Sequence, residues 1–135
     1  MRVRNLDRYW PGSRYVDLVG STMINWGGAK EYTVARLYAT FKTLRARFGK
    51  PLVLTETNTA HRGRIRWLHD LRRMLARTGW LRAVVWSQLP SRGKVQRGNT
   101  IGETDWDATK DPSAAAALRG IVEDGSAGAP PGRGP

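Results

Sequence analysis

The sequence of 135 residues contains no cysteine. Disulfides, thiolate metal sites and a cysteine nucleophile are therefore excluded, while the redox compartment is left open. Histidine is also scarce, because the chain has only two, and neither stands at a metal-ligand spacing from a glutamate. The sequence therefore predicts no metal centre and no other cofactor.

Long apolar runs are absent as well. No segment approaches the roughly 18 apolar residues of a membrane span. The opening residues, Met1-Arg-Val-Arg-Asn5, lack the apolar core of a signal peptide. Taken at face value, the chain is expected to be soluble and not exported, provided that Met1 is the natural start.

Acidic residues are few, with 11 Asp and Glu against 23 Lys and Arg, so the net charge is +12. Such a charge favours polyanions, either nucleic acid or acidic glycans. Most of it is arginine spread along predicted helices, however, which is typical of a solvated helix surface. The sequence has no RNA-recognition, zinc-finger or helix-turn-helix signature, so we do not expect nucleic acid as a partner.

Three short apolar runs, each ending in polar residues, are the main pattern that the sequence does contain. They lie at 16–24, 52–54 and 81–87, a spacing of about 30 residues that is typical of strand-helix-strand crossovers in a parallel sheet. Between them, apolar residues recur every three or four positions over 30–48 and 67–75, as on helices that pack against a core. The pattern predicts an α/β fold, with Gly49 and Gly79 as helix stops.

A last helix is predicted from Pro112 to about Asp124. Asp111 is placed to cap its first turn, and proline suits the first helical position. Residues 125–135 are rich in glycine and proline and are expected to be a disordered tail.

The stretch at 90–111 has too many Gly, Ser, Arg and Thr residues for a regular element. We therefore expect a loop, and loops of that length often carry function. Its Asp105 and Asp107 are expected to stabilise the loop or cap a helix, not to take part in catalysis.

Glu56 is the candidate catalytic residue. It follows the apolar run at 52–54, and the carboxyl ends of parallel strands are where α/β enzymes hold their chemistry. The alternative is a structural carboxylate paired with a nearby arginine such as Arg62. His61, also near this strand end, is more often a surface residue at such a position.

Three strands are too few to close a barrel, so the chain is either a small open sheet or the end of a barrel. Six stretches together resemble the C-terminal part of glycoside hydrolase family 26, the β-mannanase-like retaining enzymes with a (β/α)₈ barrel. They are Tyr9-Trp-Pro-Gly12, Tyr15-Val-Asp-Leu-Val-Gly20, Asn25-Trp-Gly27, Lys50-Pro-Leu-Val-Leu-Thr-Glu-Thr57, Ala83-Val-Val-Trp86 and Asp105-Trp-Asp107. The resemblance covers residues 9–122.

This resemblance implies that residues 1–124 are strands six to eight of a partial TIM barrel. Glu56 matches the family's nucleophile, while the family's acid/base lies on a fourth strand that this chain does not contain. Trp86 matches an aromatic floor under the sugar, and Trp26 and Asn25 would also contact substrate. The implied substrate is a polysaccharide or oligosaccharide, the implied localisation is secreted, and the chain alone is expected to be inactive.

Two departures from the family leave alternatives open. Where the family commonly has a tyrosine that hydrogen-bonds the nucleophile, the chain has Ile24, so Asn25, Thr57 or Asn58 would have to replace that donor. The pair Ser87-Gln88 differs from the acidic or aromatic residues often found there.

The two tryptophans could also be structural. Trp86 could fill the top layer of a barrel, and Trp26 could pack on a helix. The alternative function is a non-catalytic basic module that binds carbohydrate or polyanions through its arginine-rich helices.

Overall fold

The computed structural model describes residues 6–25, 33–60, 63–88, 93–97 and 100–127. Strands β1 (Val19–Asn25), β2 (Leu52–Thr59) and β3 (Leu81–Trp86) form one parallel sheet in that order. The predicted parallel α/β arrangement is therefore confirmed.

Strand β2 is longer than its apolar run. Its last three residues pair with the end of β1, and the Ala60 amide then donates to the Asn25 carbonyl at 2.8 Å. Glu56 therefore lies inside the strand and not beyond its end, because strand pairing continues into the polar segment that follows it.

Three α-helices follow the apolar patterns: α1 (Val34–Phe48), α2 (Arg64–Ala76) and α3 (Pro112–Ala127). Helix α1 begins at Thr33, whose hydroxyl accepts from the Arg36 amide, and it ends at Gly49, whose φ of 65° lies in the left-handed region. None of the described helices has the length and apolar character needed to cross a membrane.

Helix α3 confirms its predicted start and overruns its predicted end. The Asp111 carboxylate accepts from the amides of Ser113 (2.9 Å) and Ala114 (3.3 Å), which caps the first turn. The helix continues to Ala127, so residues 125–127 belong to it and not to a tail. Residues 128–135 lie outside the described part of the chain.

The helices pack on one face of the sheet. Buried side chains of α1, α2, β2 and β3 form the main core: Val34, Leu37, Phe41, Leu44, Leu52, Leu54, Trp67, Leu71, Met74 and Leu81. Val19 and Met23 of β1 are partly buried against it. A second cluster joins Leu68 of α2 to Ala108 and to Ala114 and Ala117 of α3, and Trp86 and Ile121 pack against both clusters.

Much of the other face of the sheet is uncovered by the described residues. Side chains alternate between the two faces along a strand, and those that alternate with the core, at Thr22, Thr55, Ala83 and Val85, are exposed. Val85 is 50% exposed although it is apolar. Parallel sheets are normally covered on both faces, so an exposed sheet face of this kind is unusual in an α/β domain.

The prediction of an irregular loop over 90–111 was wrong in part. Strands β4 (Gly93–Arg97) and β5 (Thr100–Thr104) form a separate antiparallel pair, followed by a short 3₁₀ turn at Ala108–Lys110. Gly98 and Asn99 separate the two strands in sequence and lie outside the described residues. A Gly-Asn pair is a sequence signal for a two-residue hairpin connection, and the prediction of a loop did not take it into account.

A buried arginine fixes the segment that follows this hairpin. Arg64, the first residue of α2, is only 1% exposed. Its guanidinium donates to the carbonyls of Thr59 at the end of β2 (3.4 Å), of Asp107 (2.9 Å) and of Asp105. Burial lowers the pKa of Arg64, and the nearby carboxylates of Asp105, Asp111 and Asp107 oppose that shift. The cation is therefore stabilised inside the protein by carbonyl oxygens and by negative charge.

We expect Arg64→Ala to lower the free energy of unfolding by roughly 3 to 5 kcal/mol, because it leaves three carbonyls without their donor and opens a cavity. Arg66→Ala on the same helix is the matched control. The Arg66 side chain is 89% exposed, so its loss should change stability by no more than about 0.5 kcal/mol. Urea unfolding of both variants measures the difference, and equal effects would contradict the tethering role of Arg64.

Candidate functional site

Glu56 lies on the face of the sheet that the helices leave uncovered. It pairs with Thr22 of β1 across an irregularity in register, and the next pair, Met23 and Thr57, has Met23 packed on the core. Since side chains alternate, Thr22 and Glu56 point to the opposite face. The irregularity adds one residue to β2, and such bulges commonly re-aim a side chain near functional sites.

Among the described residues, Ser87 contacts the Glu56 carboxylate. Its hydroxyl donates to Glu56 Oε1 at 3.0 Å. Ser87 directly follows β3, whose last residue, Trp86, packs on the core, so Ser87 points to the same face as Glu56. The carboxylate is partly buried and has one of its oxygens held by a neutral donor.

Ser87 is itself held by the end of β2. Its amide donates to the Thr57 carbonyl at 2.9 Å, and its carbonyl accepts from the Asn58 side-chain amide. The same Asn58 nitrogen donates to the Trp106 carbonyl at 3.1 Å, and Asn58 Oδ1 accepts from the Thr59 amide at 2.7 Å. Hydrogen bonds thus connect the segment fixed by Arg64 to Asn58, then to Ser87 and then to Glu56.

Ser87 is not one of the donors expected from the sequence, which are Asn25, Thr57 and Asn58. The Asn58 amide is directed to two carbonyls, and the buried Thr57 hydroxyl has no hydrogen-bond partner in the described structure. Ser87 could have been identified from its place in the sequence, because it follows the apolar run of the neighbouring parallel strand. Residues at the carboxyl ends of adjacent parallel strands lie close together.

The structure does not bring Trp86 and Asn25 to the face of Glu56. The Trp86 ring packs partly against both core clusters and donates through Nε1 to Gln88 Oε1 at 3.3 Å, a position that favours the structural alternative. Asn25 is buried and borders a groove of about 560 Å³ between α1 and α2, on the helix side of the sheet. Substrate binding by these residues stays a prediction.

Several residues named from the sequence cannot be placed. Trp26, His61 and Arg62 all lie outside the described residues. Among the residues that are described, no group of three or more His, Asp or Glu side chains could hold a metal ion.

The aspartates of the 105–107 segment stabilise the loop, as predicted. Asp107 Oδ1 accepts from the Thr109 amide (2.9 Å) and hydroxyl (2.5 Å), and Asp105 Oδ1 accepts from the Asp107 amide at 2.9 Å. The Thr109 hydroxyl and amide hold the pKa of Asp107 below its ordinary value, while the Asp107 amide and then Lys110 do the same for Asp105. Both carboxylates are therefore favoured in their charged form by the folded loop.

Comparison with known proteins gives a likeness of fold. No protein-family model and no curated protein sequence matches this sequence. Among solved structures, the β-glucuronidase of Faecalibacterium prausnitzii is similar, with a TM-score of 0.54 and 13% identity over 82% of this chain and 22% of that chain. The chain therefore spans about a fifth of that protein's length and has a fold found within a glycoside hydrolase.

The lowered pKa values of Asp105 and Asp107 indicate that the fold loses stability in acid. Because their pKa values are lowered by folding, the unfolded chain binds protons more readily, so their contribution is present above about pH 4 and lost below it. Asp107→Asn should make the fall of the urea unfolding midpoint between roughly pH 5 and pH 2 shallower. Thr109→Val, which removes one donor to Asp107, should have part of this effect. Superimposable pH curves for the wild type and both variants would contradict the assignment.

Proposed function

We propose that the chain is part of a retaining glycoside hydrolase that acts on a β-linked, mannan-like polysaccharide, with Glu56 as its nucleophile. One observation carries the proposal: Glu56 projects from the uncovered face of a parallel sheet, near the carboxyl edge, with one carboxylate oxygen held by Ser87. The family resemblance of the sequence and the fold likeness to a β-glucuronidase support it.

The proposal includes a partial barrel, in which β1, β2 and β3 are strands six to eight. It is supported by the exposed Val85 and by the outer strands β1 and β3, which have no further neighbour among the described strands. In a (β/α)₈ barrel the helices cover the outside and the remaining strands enclose the other face. Glu56 would then project into the barrel near its carboxyl end.

The chemistry needs two carboxyl groups about 5 to 5.5 Å apart. In the first step, an oxygen of Glu56 bonds to the anomeric carbon while the glycosidic bond breaks, and the second carboxyl group gives its proton to the leaving oxygen. That group then takes a proton from water, which attacks the anomeric carbon and releases Glu56. Under this proposal the acid/base is supplied by a strand outside the present sequence, so the 135-residue chain alone should not turn over substrate.

The resemblance also assigns sugar contacts to Trp86, Trp26 and Asn25, and these remain part of the proposal. Trp86 and Asn25 are the last residues of β3 and β1. Both are thus at the carboxyl edge, where a sugar lying across the barrel mouth would pass.

We expect Glu56→Gln to abolish hydrolysis in an extended protein in which a half barrel, with a carboxylate on its fourth strand, precedes this chain. The loss should be at least roughly 10³-fold in kcat, because the amide is a poor nucleophile and the covalent intermediate cannot form. Glu123→Gln, an exposed carboxylate on α3, is the control and should leave hydrolysis unchanged. Hydrolysis that survives Glu56→Gln would remove the nucleophile assignment.

The second candidate is a non-catalytic basic module that binds acidic glycans. Arg66, Arg72 and Arg73 lie on the solvent-facing side of α2, and the exposed Arg77 directly follows the helix. Three of these arginines pair with aspartates: Arg66 and Arg73 with Asp70, and Arg72 with Asp124. This pairing lowers the positive charge that the helix offers to a polyanion.

A salt titration separates the two candidates. If α2 holds a polyanion, the 135-residue chain should bind a sulfated polysaccharide such as heparin with an affinity that falls steeply between about 50 and 200 mM salt. Arg77→Gln should weaken that binding, with Lys42→Gln on α1 as the control of equal charge change. Absent or salt-independent binding would exclude the module.

A further inference from the structure

We infer that Ser87 is the positioning residue for Glu56, and that it acts by holding Oε1 so that Oε2 is the oxygen presented to substrate. The inference rests on the proposed function for its chemistry. The contact itself, a hydroxyl donor at 3.0 Å from one carboxylate oxygen, does not depend on that function.

Ser87 is suited to this role because its backbone is fixed on both sides. The amide is bonded to the Thr57 carbonyl, and the carbonyl is bonded to the Asn58 side chain. Both partners belong to β2, the strand that carries Glu56. The backbone of Ser87 is therefore held by the same strand that carries the Glu56 carboxylate.

Asn58 extends this support to a more distant segment. Its side chain is almost fully buried, with 1% of the residue exposed, and it reaches the Trp106 carbonyl as well as the Ser87 carbonyl. Trp106 lies between the two residues whose carbonyls bind Arg64. A carboxylate with one oxygen held through such a network loses rotational freedom before substrate binds, which favours attack by the other oxygen.

Strand β1, on the other side of Glu56, offers fewer hydrogen-bond donors to the carboxylate. Its partner Thr22 shares its own hydroxyl with Thr55 at 3.1 Å, and Ile24 has no polar side-chain atom. Ser87 is thus the side chain of the described structure that is observed to donate to Glu56.

The test uses nuclear magnetic resonance on the 135-residue chain with glutamate labelled by ¹³C at the carboxyl carbon. The chain has only four glutamates, and Glu56→Gln assigns the Glu56 signal. In wild type, the Glu56 signal should differ from that of exposed Glu123 and should show an isotope shift between H₂O and D₂O that is transmitted through the hydroxyl hydrogen bond. Ser87→Ala should move the signal towards that of Glu123 and remove the isotope shift.

Two further variants separate positioning from a general loss of structure. Ser87→Thr keeps the hydroxyl and should restore both spectral features. Gln88→Ala removes the neighbouring hydrogen bonds to Trp86 and Asp107 but keeps the hydroxyl of Ser87. It should therefore leave both spectral features of Glu56 unchanged. If Ser87→Ala does not fold, Ser87→Cys gives the same reading, because the thiol is a weaker donor of similar size. An unchanged Glu56 signal in the folded Ala or Cys variant would overturn the inference.

The kinetic consequence is measured on the extended protein. Ser87→Ala should lower kcat by roughly 10- to 100-fold with little change in KM, and Ser87→Thr should recover most of it. If the spectral effect is present but the extended protein has no activity, the proposed function fails and the Ser87 contact stands. If activity is present and insensitive to Ser87→Ala, the positioning role fails while the glycosidase proposal stands.

Discussion

The buried Arg64 guanidinium is the interaction on which the candidate site depends. An arginine in a protein interior remains charged, so its cost of desolvation must be offset by groups that accept its hydrogen bonds. Here those groups are backbone carbonyls from the end of β2 and from the segment after the hairpin. One side chain at the start of α2 therefore joins the nearby end of β2 to a segment 41 to 43 positions further along the chain.

The Arg64 contacts are connected to Glu56 through backbone groups and through the side chains of Asn58 and Ser87. The segment held by Arg64 places the Trp106 carbonyl, which accepts from Asn58, and Asn58 in turn binds the carbonyl of Ser87. Buried polar groups of this kind must be satisfied, and a network in which each member has a partner defines a single arrangement. That arrangement sets where the Ser87 hydroxyl meets the carboxylate, and the irregularity in β2 sets which face the carboxylate takes.

The two faces of the sheet have opposite character, and this asymmetry explains several properties together. Apolar side chains of α1 and α2 cover one face, so the tryptophan and leucine residues of the strands belong to a core there. The other face holds Glu56, threonines and an exposed valine. Under the proposed function, the rest of a barrel would both cover Val85 and bring a second carboxyl group to Glu56.

The sequence by itself determined the local elements and their order. Apolar periodicity, the Gly49 stop and the Asp111 cap are properties of short segments, and the spacing of the strands implied a parallel sheet with Glu56 near its carboxyl edge. Only the tertiary structure decided that Ser87 is the donor, that Trp86 faces the helices and that Arg64 holds the 105–107 segment. The reason is physical: a cap or a helix stop involves residues within one turn, whereas these contacts join residues 31 to 43 positions apart. Their partners depend on strand register and on a one-residue irregularity, and neither is encoded in the pattern of any single strand.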